Sequence, residues 1–247
     1  MKTKKLIIFD KDGTLIDIHH YWGRMIEARS LLLSNFCDDA SDKVMMYKRL
    51  IDLMGYDLNI GKLRAVGPVG IKPRTFIIDL VSDFFLSTSL NLSREDVERV
   101  FLLVDDYSKT NMKSYIKVLP GVRSTLASLK ESGVEIAVAT TDLSERAKIG
   151  LRTANIDQYV KSVVGGDQVR NPKPSPDMLL KIIDSFNFLI DESVMIGDAN
   201  VDQEMAFALD MDFIGVKTGL VEENVTISAQ NSIWVDNMHE VKKILCG

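Results

Sequence analysis

The stretch that decides the fold of this 247-residue chain lies near its start and reads Leu6-Ile7-Ile8-Phe9-Asp10-Lys11-Asp12-Gly13-Thr14-Leu15. Its apolar run, which ends at a polar turn, predicts a short buried β-strand. Asp10 and Asp12 follow two residues apart, and in extended backbone such side chains point to the same side, about 7 Å apart. Gly13 allows a sharp turn after them. The stretch therefore predicts two neighbouring carboxylates at a strand end, although a plain acidic turn would read the same way.

Composition and charge are those of an ordinary globular protein. Hydrophobic residues make up 46% of the chain and charged residues 26%, with a formal net charge of −5. The length suits one large domain or a core domain that carries an insertion. The acidic balance argues against nucleic acid as the main partner. The apolar run after the basic N-terminus is too short for a signal peptide, and no later run reaches the length of a membrane span, so no membrane partner is expected.

The two cysteines, Cys37 and Cys246, lie far apart in the sequence. Their spacing matches neither a metal-ligand pattern nor a CxxC pair, and two unpaired thiols are typical of a reducing compartment. We therefore expect a cytoplasmic protein.

Residues 16–116 have helical spacing of their apolar positions and no convincing strand. Ser93 and Asp96 form a Ser-x-x-Asp capping box ahead of one of these helices. Helices are expected at 19–36, 42–54, 73–86 and 93–112, with a glycine-punctuated loop at 55–70. This region therefore reads as a helical domain inserted after the first strand.

From residue 119 onward, helices and strands alternate. Such alternation predicts an α/β fold with a doubly wound, mostly parallel sheet. Its further strands are expected at 134–139, 159–164, 193–196, 213–216 and 233–235. We expect a core domain of residues 1–17 and 117–247 and a helical domain of residues 18–116, with hinges near Asp17 and 117–120.

Ligands of open α/β sheets bind beyond the carboxyl ends of the strands, so the polar residues that follow each strand are the ones to inspect. Four clusters stand out, and the third is a lysine between prolines. They are Asp10-Lys11-Asp12-Gly13-Thr14, then Thr140-Thr141, then Lys173 in Lys-Pro-Ser-Pro-Asp, and finally Gly197-Asp198 with Asp202.

These clusters resemble, in order, the four motifs of the haloacid dehalogenase superfamily, in the form found in its phosphatases. The resemblance covers about 1–17 and 117–247 and implies a Rossmann-like core with an inserted α-helical cap, as in phosphoglycolate phosphatases. A cap that closes would exclude water and select the leaving group.

The resemblance also implies a role for each motif residue. Asp10 would attack phosphorus and form an aspartyl phosphate. Asp12 would protonate the departing alcohol and then deprotonate the attacking water. Thr140, Thr141 and Lys173 would bind the phosphate.

Mg²⁺ is the expected cofactor, because a carboxylate attacks an anionic phosphate only where nearby charge is neutralised. This ion prefers hard oxygen ligands, which Asp10 and Asp198 would supply. The resemblance implies that the backbone carbonyl of Asp12 is a further ligand. Asp202 would contact these ligands without binding the ion itself, or cap the helix that begins there, or both.

We therefore predict a Mg²⁺-dependent phosphatase that acts on a small phosphorylated metabolite. The dehalogenases and phosphonatases of the superfamily lack an aspartate at the position of Asp12. Lys11 resembles the Asp-Lys-Thr-Gly-Thr motif of ion-pumping ATPases, but the chain has no membrane spans and has Asp12 where they have threonine. The alternatives are a phosphomutase acting on a sugar phosphate and a non-catalytic module that binds a phosphorylated ligand. The sequence leaves the substrate and the oligomeric state open.

Overall fold

The structure of the chain, a computed structural model, describes residues 4–90, 92–220 and 232–246. The chain divides into two compact units. The first combines Met1–Asp17 with Ile116–Gly247, and the second is Ile18–Tyr115. The basic residue Lys2 lies outside the described residues.

The strands of the described residues are, in chain order, β1 (Leu6–Phe9), β2 (Tyr56–Asp57), β3 (Lys62–Leu63), β4 (Glu135–Thr140), β5 (Ser162–Gly165), β6 (Ser193–Gly197), β7 (Asp212–Val216) and β8 (Ser232–Val235). The α-helices are α1 (Ile18–Ser34), α2 (Ala40–Leu53), α3 (Arg74–Leu86), α4 (Arg94–Thr110), α5 (Met112–Tyr115), α6 (Val122–Glu131), α7 (Ser144–Thr153), α8 (Asp177–Phe186), α9 (Asn200–Phe207) and α10 (Met238–Cys246).

The first unit is built on a parallel sheet, which in the described residues has six strands in the order β5-β4-β1-β6-β7-β8. β1 lies inside the sheet, and Phe9 is in register with Val138 of β4 and with Ile196 of β6. The predicted α/β fold with a mostly parallel sheet is confirmed.

Both faces of this sheet are covered by helices, which makes it doubly wound. Alternate side chains of β1 point to opposite faces of the sheet. Ile7 and Phe9 pack with residues of α6, α7 and α10, whereas Leu6 and Ile8 pack with residues of α8 and α9. All four are at most 1% exposed, and burying such side chains contributes about 1.5–3 kcal/mol each. The sheet therefore holds the end of β1 rigidly.

The second unit is helical, as predicted, but the prediction that it has no strand is wrong. β2 and β3 form a short antiparallel pair inside the predicted loop at 55–70. Each strand has two residues, too few to produce a period-2 pattern. The Leu63 N–H donates to His19 Nδ1 of α1 at 3.1 Å, so a tertiary contact helps to hold the pair.

Helix boundaries agree with the predictions to within a few residues. The capping box is confirmed: Asp96 N–H donates to Ser93 Oγ, and Ser93 N–H donates to Asp96 Oδ2, both at 3.2 Å. Helix α9 was expected to begin at Asp202 but begins at Asn200, so Asp202 lies in its first turn and does not precede the helix. Within the described part of the chain, no helix has the length and apolar character needed to cross a membrane.

Candidate active site

Two buried carboxylates meet beyond the carboxyl ends of β1 and β6. Asp10 follows β1, and its N–H donates to the carbonyl oxygen of Ile196 at 2.8 Å, which extends the pairing of the two strands by one residue. Asp198 follows β6. The side chain of Thr14 donates from Oγ1 to Asp198 Oδ1 at 2.9 Å, in a wholly buried contact. The turn after β1 thus contacts the carboxylate at the end of β6.

A third carboxylate, that of Asp202, completes a cluster. One oxygen from each of Asp10, Asp198 and Asp202 lies within 4.8 Å of the others, and all three residues are buried. Asp202 is in the first turn of α9, where its Oδ2 accepts the Ala199 N–H at 3.1 Å. It therefore satisfies a backbone donor at the helix start while it faces the cluster.

Lys173 bridges two of these carboxylates. Its Nζ donates to Asp10 Oδ1 at 2.5 Å and to Asp202 Oδ1 at 2.6 Å, and its side chain is 2% exposed. Burial alone would lower the pKa of Lys173, but the charges of Asp10 and Asp202 outweigh that effect and raise it. Lys173 is therefore a cation held in the cluster.

One lysine does not balance the charge of this cluster. Burial raises the pKa of Asp10 to about 7, because the nearby charge of Lys173 offsets the cost of burial only in part. Burial and then the charge of Asp10 raise the pKa of Asp198 well above its usual value. Both shifts mean that an additional positive charge would stabilise the ionised carboxylates.

The donor set of the cluster fits a divalent metal ion. Its groups are hard carboxylate oxygens, the ligand type that Mg²⁺ prefers. Asp202 already accepts from Lys173 and from the Ala199 N–H, so it fits a supporting position better than a ligand position. Asp10 and Asp198 are then the side chains best placed to hold the ion.

The predicted hydroxyl residue Thr140 is the last residue of β4 and is 2% exposed. Because β4 pairs with β1 in parallel, Thr140 ends its strand at the same edge of the sheet as Asp10. Its Oγ1 accepts the Asp142 N–H at 3.2 Å. Thr141 is exposed.

Asp12 lies at the margin of the site, with a side chain that is 23% exposed. Its carboxylate accepts from Lys11 Nζ, which also donates to Asp142 Oδ2 at 3.0 Å. Burial raises the pKa of Asp142, an effect that the charge of Lys11 opposes. Lys11 thus links the loops that follow β1 and β4.

The loop after β7 closes over the cluster. Thr218 Oγ1 donates to the carbonyl oxygen of Gly13 at 2.6 Å. At Gly219, a Cβ would stand 1.7 Å from Asp198 Oδ2. A side chain would therefore displace the carboxylate, and glycine is required there by close approach.

Comparison with known proteins identifies the family. The sequence profile of haloacid dehalogenase-like hydrolases matches residues 84–216. The chain belongs to this family.

Curated relatives of this hydrolase include the probable phosphatase IndB of Dickeya dadantii, 30% identical over 96% of this chain and 92% of the relative. The phosphoglycolate phosphatase of Aquifex aeolicus is 26% identical over 81% of this chain and 78% of the relative. The crystal structure of a haloacid dehalogenase superfamily hydrolase of Geobacter sulfurreducens has the same fold, with a TM-score of 0.67 over 98% of this chain and 96% of that chain at 20% identity. The predicted resemblance to phosphatases of this superfamily is confirmed.

The fold of this hydrolase brings four of the predicted site residues into one buried cluster, namely Asp10, Lys173, Asp198 and Asp202. Asp12 follows β1 and Thr140 ends β4, at the same edge of the sheet. Thr140 accepts the Asp142 N–H, and Lys11 joins the carboxylates of Asp12 and Asp142. Thr141 follows Thr140 directly and is exposed.

Sequence reasoning assigned no role to five residues that the fold places at the site of this hydrolase: Lys11, Thr14, Asp142, Thr218 and Gly219. For the first three a signal was available, since each follows one of two predicted strands whose ends meet in a parallel sheet. Thr218 and Gly219 follow the strand predicted at 213–216, and the same rule would have pointed to them.

Proposed function

We propose that this hydrolase is a Mg²⁺-dependent phosphatase, which cleaves a small phosphorylated metabolite through an aspartyl phosphate on Asp10. The observation that carries this proposal is the buried cluster in which Lys173 bridges Asp10 and Asp202 beside Asp198. A phosphate monoester is an anion, which an uncompensated carboxylate would repel. In this cluster Lys173 compensates the charge of Asp10, so that this carboxylate can approach the phosphate.

Asp10 is the proposed nucleophile. It lies on the rigid end of β1, and its Oδ1 already accepts from Lys173. This contact orients the carboxylate and leaves its other oxygen for the attack on phosphorus. Since the pKa of Asp10 is about 7 without a metal, an additional cation would favour the ionised form that attacks.

Asp10, Asp198 and the backbone carbonyl of Asp12 would hold Mg²⁺. When bound, the ion would supply positive charge for the carboxylates and the incoming phosphate. The fit rests on the chemistry of the donors and on the raised pKa values of Asp10 and Asp198.

Asp12 is the proposed general acid and base. Its side chain is more exposed than that of Asp10, as the proposed contact with a leaving group requires. It would donate a proton to the departing alcohol and then accept one from the water that cleaves the aspartyl phosphate. Lys173 would also contact the phosphate, as would the hydroxyl of Thr140 and the backbone of Thr141.

The decisive experiment compares the wild-type protein with Asp10→Asn on p-nitrophenyl phosphate, with and without Mg²⁺. The amide preserves the shape of the side chain but is not a nucleophile, so hydrolysis is expected to fall to the background rate. Wild-type activity is expected to require Mg²⁺ and to disappear with a chelator. Asp38→Asn, a change of an exposed aspartate in the other unit, is the matched control and should leave the rate unchanged.

Three outcomes would contradict the proposal. Activity that persists in Asp10→Asn would exclude Asp10 as the nucleophile. A sugar phosphate that is isomerised with little release of free phosphate would identify a phosphomutase instead. A protein that binds phosphate monoesters but hydrolyses none would be a non-catalytic binding module.

The remaining expectations stay predictions. They are the role of residues 18–116 as a substrate-selecting cap and the place of the protein in the cytoplasm. A screen of phosphorylated metabolites tests the first most directly when wild-type protein is compared with variants of that unit.

A further inference from the structure

Lys11 is a buried cation that contacts two acids at the margin of the site. The residue is 2% exposed. Its Nζ lies 2.9 Å from Oδ1 and 2.8 Å from Oδ2 of Asp12, and 3.0 Å from Oδ2 of Asp142. The two carboxyl side chains are 23% and 20% exposed. The buried ammonium group therefore contacts two carboxylates that are partly exposed to solvent, on the side from which a substrate would approach.

Asp142 is itself held in place. Its Oδ1 accepts the Leu143 N–H at 2.8 Å, and its own N–H donates to Thr140 Oγ1 at 3.2 Å. Arg146, in the first turn of α7, has its Nε 3.9 Å from Asp142 Oδ1. A series of contacts thus runs from the end of β4 through Asp142 and Lys11 to Asp12.

We propose that Lys11, anchored by Asp142, is a positioning residue that holds the carboxyl group of Asp12, which gives its proton to the leaving group and regains one from the water that cleaves the aspartyl phosphate. The proposal rests on the proposed function, in which Asp12 is the general acid. Because Nζ contacts both oxygens of Asp12, it restricts the rotation of a carboxylate that is otherwise partly exposed. Proton transfer is sensitive to such placement, since a displacement of about 1 Å can cost on the order of 10²-fold in rate.

A different role for Lys11 would be direct binding of the phosphate. The two roles predict different dependence on the leaving group. A positioning residue matters when the departing oxygen needs a proton. A phosphate-binding residue matters equally for every phosphate monoester, and its effect does not require Asp142.

The test uses two aryl phosphates of similar shape, phenyl phosphate and p-nitrophenyl phosphate. Phenolate is a poor leaving group that needs protonation, whereas 4-nitrophenolate departs without it. For Lys11→Met, kcat/KM is expected to fall on the order of 10²-fold with phenyl phosphate and less than about 10-fold with p-nitrophenyl phosphate. Asp142→Asn should show the same preference with a smaller loss, and Lys11→Arg should retain part of the phenyl phosphate activity.

Lys4→Met is the matched control. Lys4 is also a buried lysine next to β1, and its Nζ pairs with Asp212 Oδ2 at 2.6 Å and donates to the Asp191 carbonyl oxygen. Any loss from removing a buried lysine as such should affect both substrates equally in this variant. Circular dichroism and thermal unfolding establish that each variant is folded, and Asp142→Asn carries the test if Lys11→Met is not.

Equal losses on both substrates in Lys11→Met and Asp142→Asn would overturn the positioning role and leave the phosphatase assignment intact. A rise in KM for both substrates in Lys11→Met alone would overturn it in favour of phosphate binding. A wild-type protein that hydrolyses neither substrate with Mg²⁺ would overturn both proposals.

Discussion

At the scale of single residues, three glycines leave space for the carboxylate cluster because they have no side chain. A Cβ at Gly13 would stand 2.3 Å from Asp198 Oδ2, and one at Gly197 would stand 2.4 Å from Asp202 Oδ2. Gly13 also has a φ of +94°, which other residues rarely adopt. Glycines at 13, 197 and 219 therefore allow the backbone to approach the carboxylates of Asp198 and Asp202 closely.

Gly219→Ala tests this close approach. The new Cβ would stand 1.7 Å from Asp198 Oδ2, so either the carboxylate or the loop after β7 must move. We expect the affinity for Mg²⁺ to fall about 10-fold or more, the range found when groups around metal ligands are disturbed. Isothermal titration with Mg²⁺ measures the change.

Gly150→Ala is the control for that titration. Gly150 lies in α7, and the nearest atom to its added Cβ would be Ile116 Cδ1 at 3.7 Å, an ordinary contact. This variant should bind Mg²⁺ as the wild type does. Unchanged Mg²⁺ affinity in Gly219→Ala would contradict this expectation. It would show that the loop after β7 moves while Asp198 stays in place.

At the scale of elements, local sequence and tertiary contacts share the definition of helix ends. Helix α4 begins with a capping box that uses Ser93 and Asp96, both close in sequence. Helix α9 begins at Asn200, where Asp202 Oδ2 accepts the Ala199 N–H while Oδ1 accepts from Lys173. The capping box of α4 contributes to stability alone. The start of α9 is also part of the site.

Ser93→Ala should therefore reduce stability without affecting activity. It removes the oxygen that accepts the Asp96 N–H, and loss of such a cap typically costs about 1 kcal/mol. Urea unfolding measures the loss, and the initial rate with p-nitrophenyl phosphate should not change. Ser89→Ala, at an exposed serine in the preceding loop, is the control and should be neutral. Equal stability of the two variants would contradict the role of the cap.

At the scale of the whole molecule, the buried carboxylates link the stability of the fold to pH. The pKa of Asp10 is about 7 in the folded protein, against 3.8 for an exposed aspartate. Between about pH 4 and pH 7 the folded protein therefore binds a proton that the unfolded chain releases. Without metal, this group makes the free energy of unfolding fall as pH rises through that window.

We expect Mg²⁺ to raise the melting temperature more at pH 8 than at pH 5. At pH 5 protons compete with the ion for Asp10 and Asp198, and at pH 8 the ion stabilises carboxylates that are already ionised. Thermal unfolding with and without Mg²⁺ at both values measures the difference. Asp10→Asn is the control, because it lacks one of the two titrating carboxylates and should show a smaller dependence on pH. A Mg²⁺ effect that is greater at pH 5 would contradict the linkage.

Much of the fold was predictable because its signals are local. The apolar run of β1, the alternation of helices and strands after residue 119 and the capping box at Ser93 each lie within a few residues of one another. The β2–β3 pair escaped prediction because two-residue strands have no period, and the start of α9 was misplaced because Asp202 is a good capping residue within its first turn.

The sequence by itself determined the kinds of group at the site and their order along the chain. Acids, hydroxyl and lysine follow particular strands, and parallel strands present their carboxyl ends at one edge. Only the tertiary structure decided which groups touch. Lys173 meets Asp10 across 163 positions, and Lys11 meets Asp142 across 131. These contacts depend on the strand order β5-β4-β1-β6-β7-β8, and no local pattern encodes it, because strand pairing is set by long-range packing.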